Sequence, residues 1–419
     1  MKISVIGAGY AGLCTAVGFA SKGHKVACID IDKGKVAAIN SGSVKIYEKG
    51  IVTALRRALR NGLMSASTSL DANSDVFFIA VQTPDTDFSY VRNVAKNLAK
   101  LLKNSNSYKL VVMKSTVLPG TTEGIIPLLE ASGKKAGRDF GVAVNPEFLR
   151  EGTALEDFLH PNRIVIGEYD KLSGDVLEKL YRNFNAPILR TSLRTAEMIK
   201  YASNAFLASK ISFINDIGNY CKRLGIDVYD VAEGIGYDRR IGRAFLNSGI
   251  GFGGSCLPKD AEALAMSAKK FGHRLHIIES VIKLNEKQPL RIVDILEKKT
   301  KIKGKKIAIL GLAFKSGTDD IRDAPSIKII RALLKKGATI VAYDPKAIGN
   351  MKNVFRNINY ASDAKSAIKN SDACLLLTEW PEFKKLSDKD FSKMRKKIII
   401  EGRRILDRRK IKSIEGVCW

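Results

Sequence analysis

The hydrophobic pattern of the chain starts with short runs that alternate with helix-like segments. Lys2-Ile-Ser-Val-Ile-Gly7-Ala-Gly9-Tyr-Ala-Gly12 is a β-branched run that ends in glycines, and small apolar residues continue from there to Lys22. A second apolar run, Gly23-His-Lys-Val-Ala-Cys-Ile-Asp30, closes on an acid. Strand, glycine turn, helix and strand in that order predict a βαβ unit. Further strand-like runs at residues 76–81, 110–114, 142–145 and 164–166 are separated by helical patterns, which predicts a doubly wound parallel sheet. Over residues 196–218 the period changes: no proline occurs and apolar residues recur at helical spacing, as in one long helix. A second helical region is expected over about residues 259–298, bent near Gly272 and Pro289. The broad apolar face of this middle section is a candidate dimer surface.

Lysines 298, 299, 301, 303, 305 and 306 surround Gly304 and read as a solvated linker. After it the opening pattern returns. Lys306-Ile-Ala-Ile-Leu-Gly311 echoes Lys2 to Gly7, and Gly337-Ala-Thr-Ile-Val-Ala-Tyr-Asp344 echoes Gly23 to Asp30. Later strands are expected at residues 373–377 and 397–401. The predicted fold is therefore α/β: two doubly wound domains, residues 1–194 and 301–419, joined by a long-helix dimerisation region, residues 195–300.

With 419 residues and 45% hydrophobic residues, the chain has ample core for two or three domains. No apolar run approaches the roughly 18 residues of a membrane span, and three glycines within residues 1–12 argue against a signal peptide. A soluble, cytoplasmic protein with no membrane partner is expected. The net charge is +27, and residues 301–419 hold 28 Lys and Arg against 13 Asp and Glu, more than half the excess. No zinc finger, RNP-type aromatic motif or basic recognition helix accompanies it, so no nucleic-acid partner is expected. The six cysteines have no CxxC spacing and no nearby histidine, which argues against a disulfide framework or a bound metal.

Gly7-x-Gly9-x-x-Gly12 between a strand and a helix suits a dinucleotide pyrophosphate: tight turn, close backbone approach and a helix N-terminus facing the phosphates. Asp30 at the end of the next strand suits ribose hydroxyls and repels a 2′-phosphate, which favours NAD over NADP. Lys35 is either a solvated helix residue or a neighbour of a phosphate. The loop Gly311-Leu-Ala-Phe-Lys-Ser-Gly317 lacks this fingerprint, so the second Rossmann-like domain is not expected to bind a dinucleotide in the same way.

Gly251-Phe-Gly253-Gly254-Ser-Cys256-Leu-Pro-Lys259-Asp260 places a cysteine before a predicted helix, where the N-terminal dipole and Lys259 favour thiolate, after glycines that let backbone approach a ligand. Cys14, Cys28, Cys221 and Cys374 sit in apolar patterns and read as core, and Cys418 reads as an exposed terminal residue. Asn145-Pro-Glu147-Phe-Leu-Arg150-Glu151-Gly152 follows a strand, so its carboxylates reach the ligand edge of the sheet; one could activate water, or both are solvated loop acids. Lys200 and Asn204 share a helix face, although spacing alone leaves a surface lysine as the plainer reading. His24, His160, His273 and His276 show no partner pattern.

Taken together, these blocks, with Lys114-Ser-Thr116-Val, Phe314-Lys315 through Arg322 and Glu401-Gly-Arg403, resemble the family of NAD-dependent nucleotide-sugar 6-dehydrogenases over essentially the whole chain. The resemblance implies two successive oxidations of a sugar C6 alcohol to a carboxylate. Cys256 resembles the nucleophile that forms a thiohemiacetal and then a thioester. Glu147, aided by Thr116, resembles the base for the hydrolytic water, while Lys200, Asn204 and Asp260 would stabilise oxyanions or transfer protons. For NAD the likeness implies Gly7, Gly9, Gly12, Asp30, Lys35, Thr83, Thr116, Glu151, Lys259 and Arg322. For the nucleotide sugar it implies Phe148, Leu149, Arg150, Glu151, Lys200, Asn204, Asn247, Gly251, Phe252, Gly253, Phe314, Lys315 and Arg403. Arg240 resembles a residue that reaches the sugar nucleotide of a neighbouring subunit, which implies a homodimer or higher homo-oligomer. Gln82 and Lys49 depart from a glycine and a proline common in the family. Glu151-Gly-Thr-Ala-Leu-Glu-Asp-Phe and His160-Pro-Asn-Arg-Ile-Val-Ile-Gly resemble the UDP-glucose branch, with GDP-mannose or a UDP-N-acetylhexosamine as alternative substrates.

Overall fold

The computed structural model describes residues 1–84 and 87–419, which form two compact units, Met1–Ser203 and Asn204–Trp419. In the first unit the apolar runs become β1 (Lys2–Ile6), β2 (Lys25–Ile29), β3 (Met64–Ser67), β4 (Val76–Ile79), β5 (Lys109–Met113), β6 (Phe140–Val144), β7 (Ile164–Glu168) and β8 (Ile188–Ser192). They form one sheet in the order β3-β2-β1-β4-β5-β6-β7-β8. Helices cover both faces, so successive residues of one strand enter different cores: Val76 and Phe78 pack with Ile3 and Val5, whereas Phe77 and Ile79 pack with Ile6, Val111 and Met113. The order reverses between β1 and β4, and the loops after those strands flank the crevice of the topological switch point.

The sheet is not wholly parallel, as the alternation of runs had suggested, because β7 runs antiparallel to β6. Between them lies only a short helix, Ala154–Leu159. Six helical residues span about 9 Å, too little to carry the chain back along a five-residue strand of about 17 Å. That helix is also committed elsewhere: Phe158 packs so closely on Gly18 that a Cβ there would lie 2.1 Å from the ring.

The predicted long helix extends further than its apolar pattern, from Leu193 to Leu224, and the division between the units falls within it. The predicted second helical region is three helices: Leu257–Lys270, His276–Lys287 and Arg291–Lys299. Gly272, at φ +72°, interrupts the first junction and a 3₁₀ turn, Gln288–Leu290, the second. The lysine-rich linker connects the last of these helices to a six-stranded parallel sheet. It comprises β9 (Lys306–Leu310), β10 (Thr339–Tyr343), β11 (Asn359–Tyr360), β12 (Ala373–Leu376), β13 (Ile399–Glu401) and β14 (Ile414–Gly416), in the order β11-β10-β9-β12-β13-β14. The internal repeat is thus real at the level of topology. Among the described residues no helix is long and apolar enough to cross a membrane.

Cys14, Cys28, Cys221 and Cys374 are buried, as their apolar surroundings indicate. Cys418 is buried too, against the expectation of an exposed terminal thiol. The cause is β14, which pairs with β13 and leads Val417, Cys418 and Trp419 into the core of the second unit. There a Cβ on Gly218 would lie 2.7 Å from that of Cys418, and the Trp419 ring meets Tyr229 edge-on at 5.2 Å.

Candidate active site

The turn after β1 assigns a different task to each of its glycines. Gly7 has φ +107°, and a Cβ there would lie 2.4 Å from the Ala80 carbonyl oxygen. A Cβ on Gly12 would lie 1.9 Å from the Gly7 carbonyl oxygen, so this glycine lets the helix Tyr10–Ser21 start tight against the turn. Gly9 has nothing within 4 Å of its Cβ position and caps that helix without a side-chain hydrogen bond. An open glycine at an uncapped helix N-terminus with no acid in its first turn leaves backbone N–H groups able to receive a phosphate. Asp30 Oδ2 accepts from Ala8 N at 2.8 Å, and Lys35 Nζ lies 3.4 Å from the same oxygen. Lys35 is thus tied to Asp30. Thr83 Oγ1 donates to the Thr116 carbonyl at 3.0 Å, which joins the loops after β4 and β5.

Glu147 is nearly buried after β6. Its Oε1 accepts from Lys200 Nζ at 3.0 Å and its Oε2 from Leu149 N at 2.6 Å. The Lys200 side chain is only 5% exposed, so the surface reading of this lysine does not hold in the fold. Burial pushes the Glu147 carboxyl up, but the Lys200 charge, the Leu149 N–H and Lys114 outweigh it and hold the group below the usual carboxylate range. Arg163 lies over the Phe148 ring at 3.8 Å, with Lys200 Nζ at 5.6 Å from it. Arg150, by contrast, is exposed and chelated by Asp157, and Glu151 is half-buried beside it.

The second unit holds Cys256 at the N-cap of the helix Leu257–Lys270, half-buried, with Ser255 Oγ 3.5 Å from its sulfur. Buried Asp260 takes Lys259 Nζ at 2.7 Å on one oxygen and Asn204 Nδ2 at 2.6 Å on the other. Lys259 is therefore already paired with Asp260, and the helix terminus adds a favourable field at the thiol. The other cysteines are buried, and burial pushes Cys14 and Cys28 up to about 12 and also raises Cys374 and Cys418.

The glycine stretch before Cys256 is shaped by contacts with the protein itself. A Cβ on Gly251 would lie 2.6 Å from Asn285 Oδ1, on Gly253 2.3 Å from the Asp323 carbonyl oxygen, and on Gly254 2.8 Å from the Phe314 ring. Phe252 is buried and clamped at both its N–H and its carbonyl by Asn285. Arg403 Nη2 donates to the Gly251 carbonyl. The structure thereby gathers Gly251, Phe252, Gly253, Phe314 and Arg403, and Lys315 Nζ lies 5.6 Å from the Phe314 ring centroid. The Arg322 carbonyl accepts from Gly254 N at 2.8 Å while its guanidinium is exposed and chelated by Asp320. Asn247 and Arg240 are exposed; Arg240, 89% exposed, is held by Asp238.

Residues 1–185 match the NAD binding domain of the UDP-glucose/GDP-mannose dehydrogenase family, residues 194–287 its central domain and residues 308–408 its UDP binding domain. The chain belongs to this family. Among its similar members is UDP-glucose 6-dehydrogenase AglM of Haloferax volcanii, 44% identical over 98% of both chains. A UDP-glucose dehydrogenase from Pyrobaculum islandicum superposes with a TM-score of 0.94 at 40% identity, covering 100% of this chain and 98% of that one. A UDP-D-ManNAc dehydrogenase from Pyrococcus horikoshii gives 0.89 at 32% identity, covering 100% and 99%. Within the family frame, the glycine turn, Asp30 and Glu147 lie in the NAD binding span, and Lys200, Asn204, Cys256 and Asp260 lie in the central span. Phe314, Lys315 and Arg403 lie in the UDP binding span, and so does Arg322, which the resemblance had associated with the cofactor.

Several neighbours escaped the sequence reading. Lys114 is buried at the end of β5 and donates to Asn145 Oδ1 at 2.7 Å, an oxygen that also accepts from the Tyr181 hydroxyl at 2.5 Å. Buried Glu48 joins Tyr10 and Gly152, linking the cofactor turn to the Glu147 loop. A charged residue closing an apolar strand run was the available sign for Lys114; nothing local marked Glu48.

Proposed function

We propose that the chain carries out the NAD-dependent four-electron oxidation of UDP-glucose to UDP-glucuronate. The observation that carries this reading is Cys256, half-buried at a helix N-terminus beside the Asp260 cluster, among cysteines otherwise buried in the core. NAD supplies the acceptor for a hydride at each oxidation. The Cys256 sulfur bonds to C6 of the aldehyde left by the first oxidation, and the oxygen gains a proton to give a thiohemiacetal. The second oxidation removes that proton and a hydride, leaving a thioester. Glu147 takes a proton from water as the water attacks the acyl carbon; the C–S bond breaks, and thiolate and carboxylate part. Covalent capture keeps the aldehyde from escaping. Lys200, Asn204 and Asp260 supply charge and hydrogen bonds for the oxyanions, and Thr116 assists Glu147.

The same reading assigns the pyrophosphate of NAD to Gly7, Gly9 and Gly12 and its ribose to Asp30, with Lys35, Thr83, Thr116, Glu151, Lys259 and Arg322 around it. It assigns the nucleotide sugar to Phe148–Glu151, Lys200, Asn204, Asn247, the Gly251–Gly253 stretch, Phe314, Lys315 and Arg403. The work is divided among residues 1–194, 195–300 and 301–419. Phe206, Phe213 and Tyr220 form an exposed apolar stripe on the long helix, 66%, 54% and 62% exposed, which suits a homodimer. In it Arg240 serves the neighbouring subunit's sugar nucleotide. Six unbridged cysteines suit a reducing, cytoplasmic setting.

Incubation with excess NAD and limiting UDP-glucose tests the proposal. Two NADH per UDP-glucose are expected; turnover with GDP-mannose or a UDP-N-acetylhexosamine and none with UDP-glucose would overturn the substrate assignment. The UDP-D-ManNAc dehydrogenase supports that second reading, but the proteins named for UDP-glucose are nearer in sequence.

A further inference from the structure

Lys114 is 4% exposed, and among the described residues its hydrogen-bond partner is the neutral Asn145 Oδ1 at 2.7 Å, with no carboxylate in ion-pair contact. The Asn145 amide is fixed in orientation, because its nitrogen donates to the Val165 carbonyl at 2.9 Å while its oxygen takes both Lys114 and the Tyr181 hydroxyl. An ammonium held out of water by one shared neutral acceptor is poorly compensated. Burial first, and the Lys200 charge with it, pull Lys114 down to about 7 against the Glu147 charge, which raises it. Lys114, Glu147 and Lys200 thus form one electrostatic unit, drawn from the end of β5, the loop after β6 and the long helix. The Tyr181 and Cys14 groups nearby are both driven towards their neutral forms by burial and add no charge.

We propose that Lys114 is a positioning residue for the hydrolytic step, setting the basicity of Glu147 through its own charge. Protonated, it stabilises the Glu147 carboxylate and makes it a weaker base. Once it loses its proton, one of the two cations acting on Glu147 is gone, and Glu147 takes a proton from water more readily. The inference rests on the reading that Glu147 activates the water that cleaves the Cys256 thioester.

The test follows decay of the acyl-enzyme by quenched-flow intact mass in the full-length enzyme with UDP-glucose and NAD, from about pH 6 to 8.5. Loss of the Lys114 charge raises the proton affinity of Glu147, and hydrolysis should rise about 3-fold through an inflection near neutrality. Lys114→Met should be flat across this range at the wild-type high-pH rate. Lys114→Arg, permanently charged, should be flat at the low-pH rate. Tyr181→Phe keeps the charge and leaves Asn145 Oδ1 to Lys114 alone, so its inflection should move to higher pH; it serves as the test where the arginine does not fold. An unchanged inflection in the Met variant, or an equal loss at every pH in both Lys114 variants, would overturn the inference and leave a structural lysine. If the wild type forms no acyl-enzyme, the reading of Cys256 and Glu147 fails as well; if it forms and decays without the inflection, only the role of Lys114 fails.

Discussion

Glu147→Gln separates the oxidations from the hydrolysis. The substitution keeps the shape of the side chain and one accepting oxygen for Lys200, which donates to Oε1 at 3.0 Å, but puts an NH2 opposite the Leu149 N–H, which donates to Oε2 at 2.6 Å, and removes the proton acceptor. General-base catalysis contributes about 10² to 10⁴ in rate, or about 3 to 5 kcal/mol at 1.36 kcal/mol per tenfold. Thioester hydrolysis should slow by that factor while both hydride transfers persist. Leaving Lys200 buried with no acceptor at all would cost about 3–5 kcal/mol, whereas an amide oxygen in place keeps the folding cost nearer 1–3 kcal/mol, so the variant should fold. Rapid mixing should give a burst of two NADH per active site followed by slow turnover, and intact mass should show Cys256 carrying the UDP-glucuronyl group. A depressed carboxyl stabilises the fold above its unfolded value and loses that contribution as pH falls through its folded value. The stability gap between wild type and variant should therefore close on acidification below about pH 4.5. Normal steady-state turnover, or loss of the burst with NAD binding intact, would refute the assignment of Glu147 to hydrolysis.

Cys256→Ser should bind NAD normally and stall after the first or second hydride transfer; wild-type turnover in that variant rules out covalent catalysis. Gly12→Ala drives a Cβ to within 1.9 Å of a backbone oxygen and should lower Tm by an amount equivalent to about 1–3 kcal/mol, with NAD affinity lost. Gly9→Ala meets no neighbour and has φ −74°, so it should melt like the wild type and lose NAD affinity alone; a wild-type Kd for NAD there would remove Gly9 from the cradle. Phe213→Asp should weaken self-association, read by analytical ultracentrifugation, and an unchanged sedimentation profile would move the interface elsewhere.

What could be read from the residues was what depends on neighbours in sequence. The glycine turn, the apolar strands and Cys256 before a helix each rest on a few consecutive positions, and each appears where its local chemistry puts it. The burial of Cys418 was not legible, because it depends on β14 pairing with a strand whose residues lie elsewhere in the chain. Nor was the antiparallel β7, which follows a helix of only six residues that also packs on Gly18. The glycines before Cys256 pointed to close approach, but only the fold shows that Asn285, Asp323 and Phe314 are what approaches them. Lys200 illustrates the converse: on a helix facing solvent it would be unremarked, and burial against Glu147 makes it part of a charged site.

The two sheets show how one topology comes to present different chemistry. Gly7 and Gly311 follow equivalent strands with φ +107° and +96°, and each N–H bonds across to the end of the next strand, to Ile29 and Tyr343 at 2.7 and 2.8 Å. Asp30 and Asp344 stand at matching positions and each accepts from the residue after its glycine. Beyond that point they diverge. In the first unit the helix begins at Tyr10, so the loop offers backbone N–H groups, and among the described residues Asp30 accepts from Ala8, Asp32 and Lys35. In the second the helix begins at Pro325, and Asp344 is buried under donations from Leu312, Ala313, Trp380, Lys346 and Ala347. An acid saturated in this way has become a strut for a longer loop and has no lone pairs to spare for a ribose. The loop it supports carries Phe314, Lys315 and Arg322, so an aromatic ring and two cations stand where the first unit offers backbone amides. Between Gly311 and Pro325 that loop holds Lys315 and Arg322 against Asp319, Asp320 and Asp323, so the excess of Lys and Arg over residues 301–419 comes from the rest of the span and not from the loop that replaces the glycine turn.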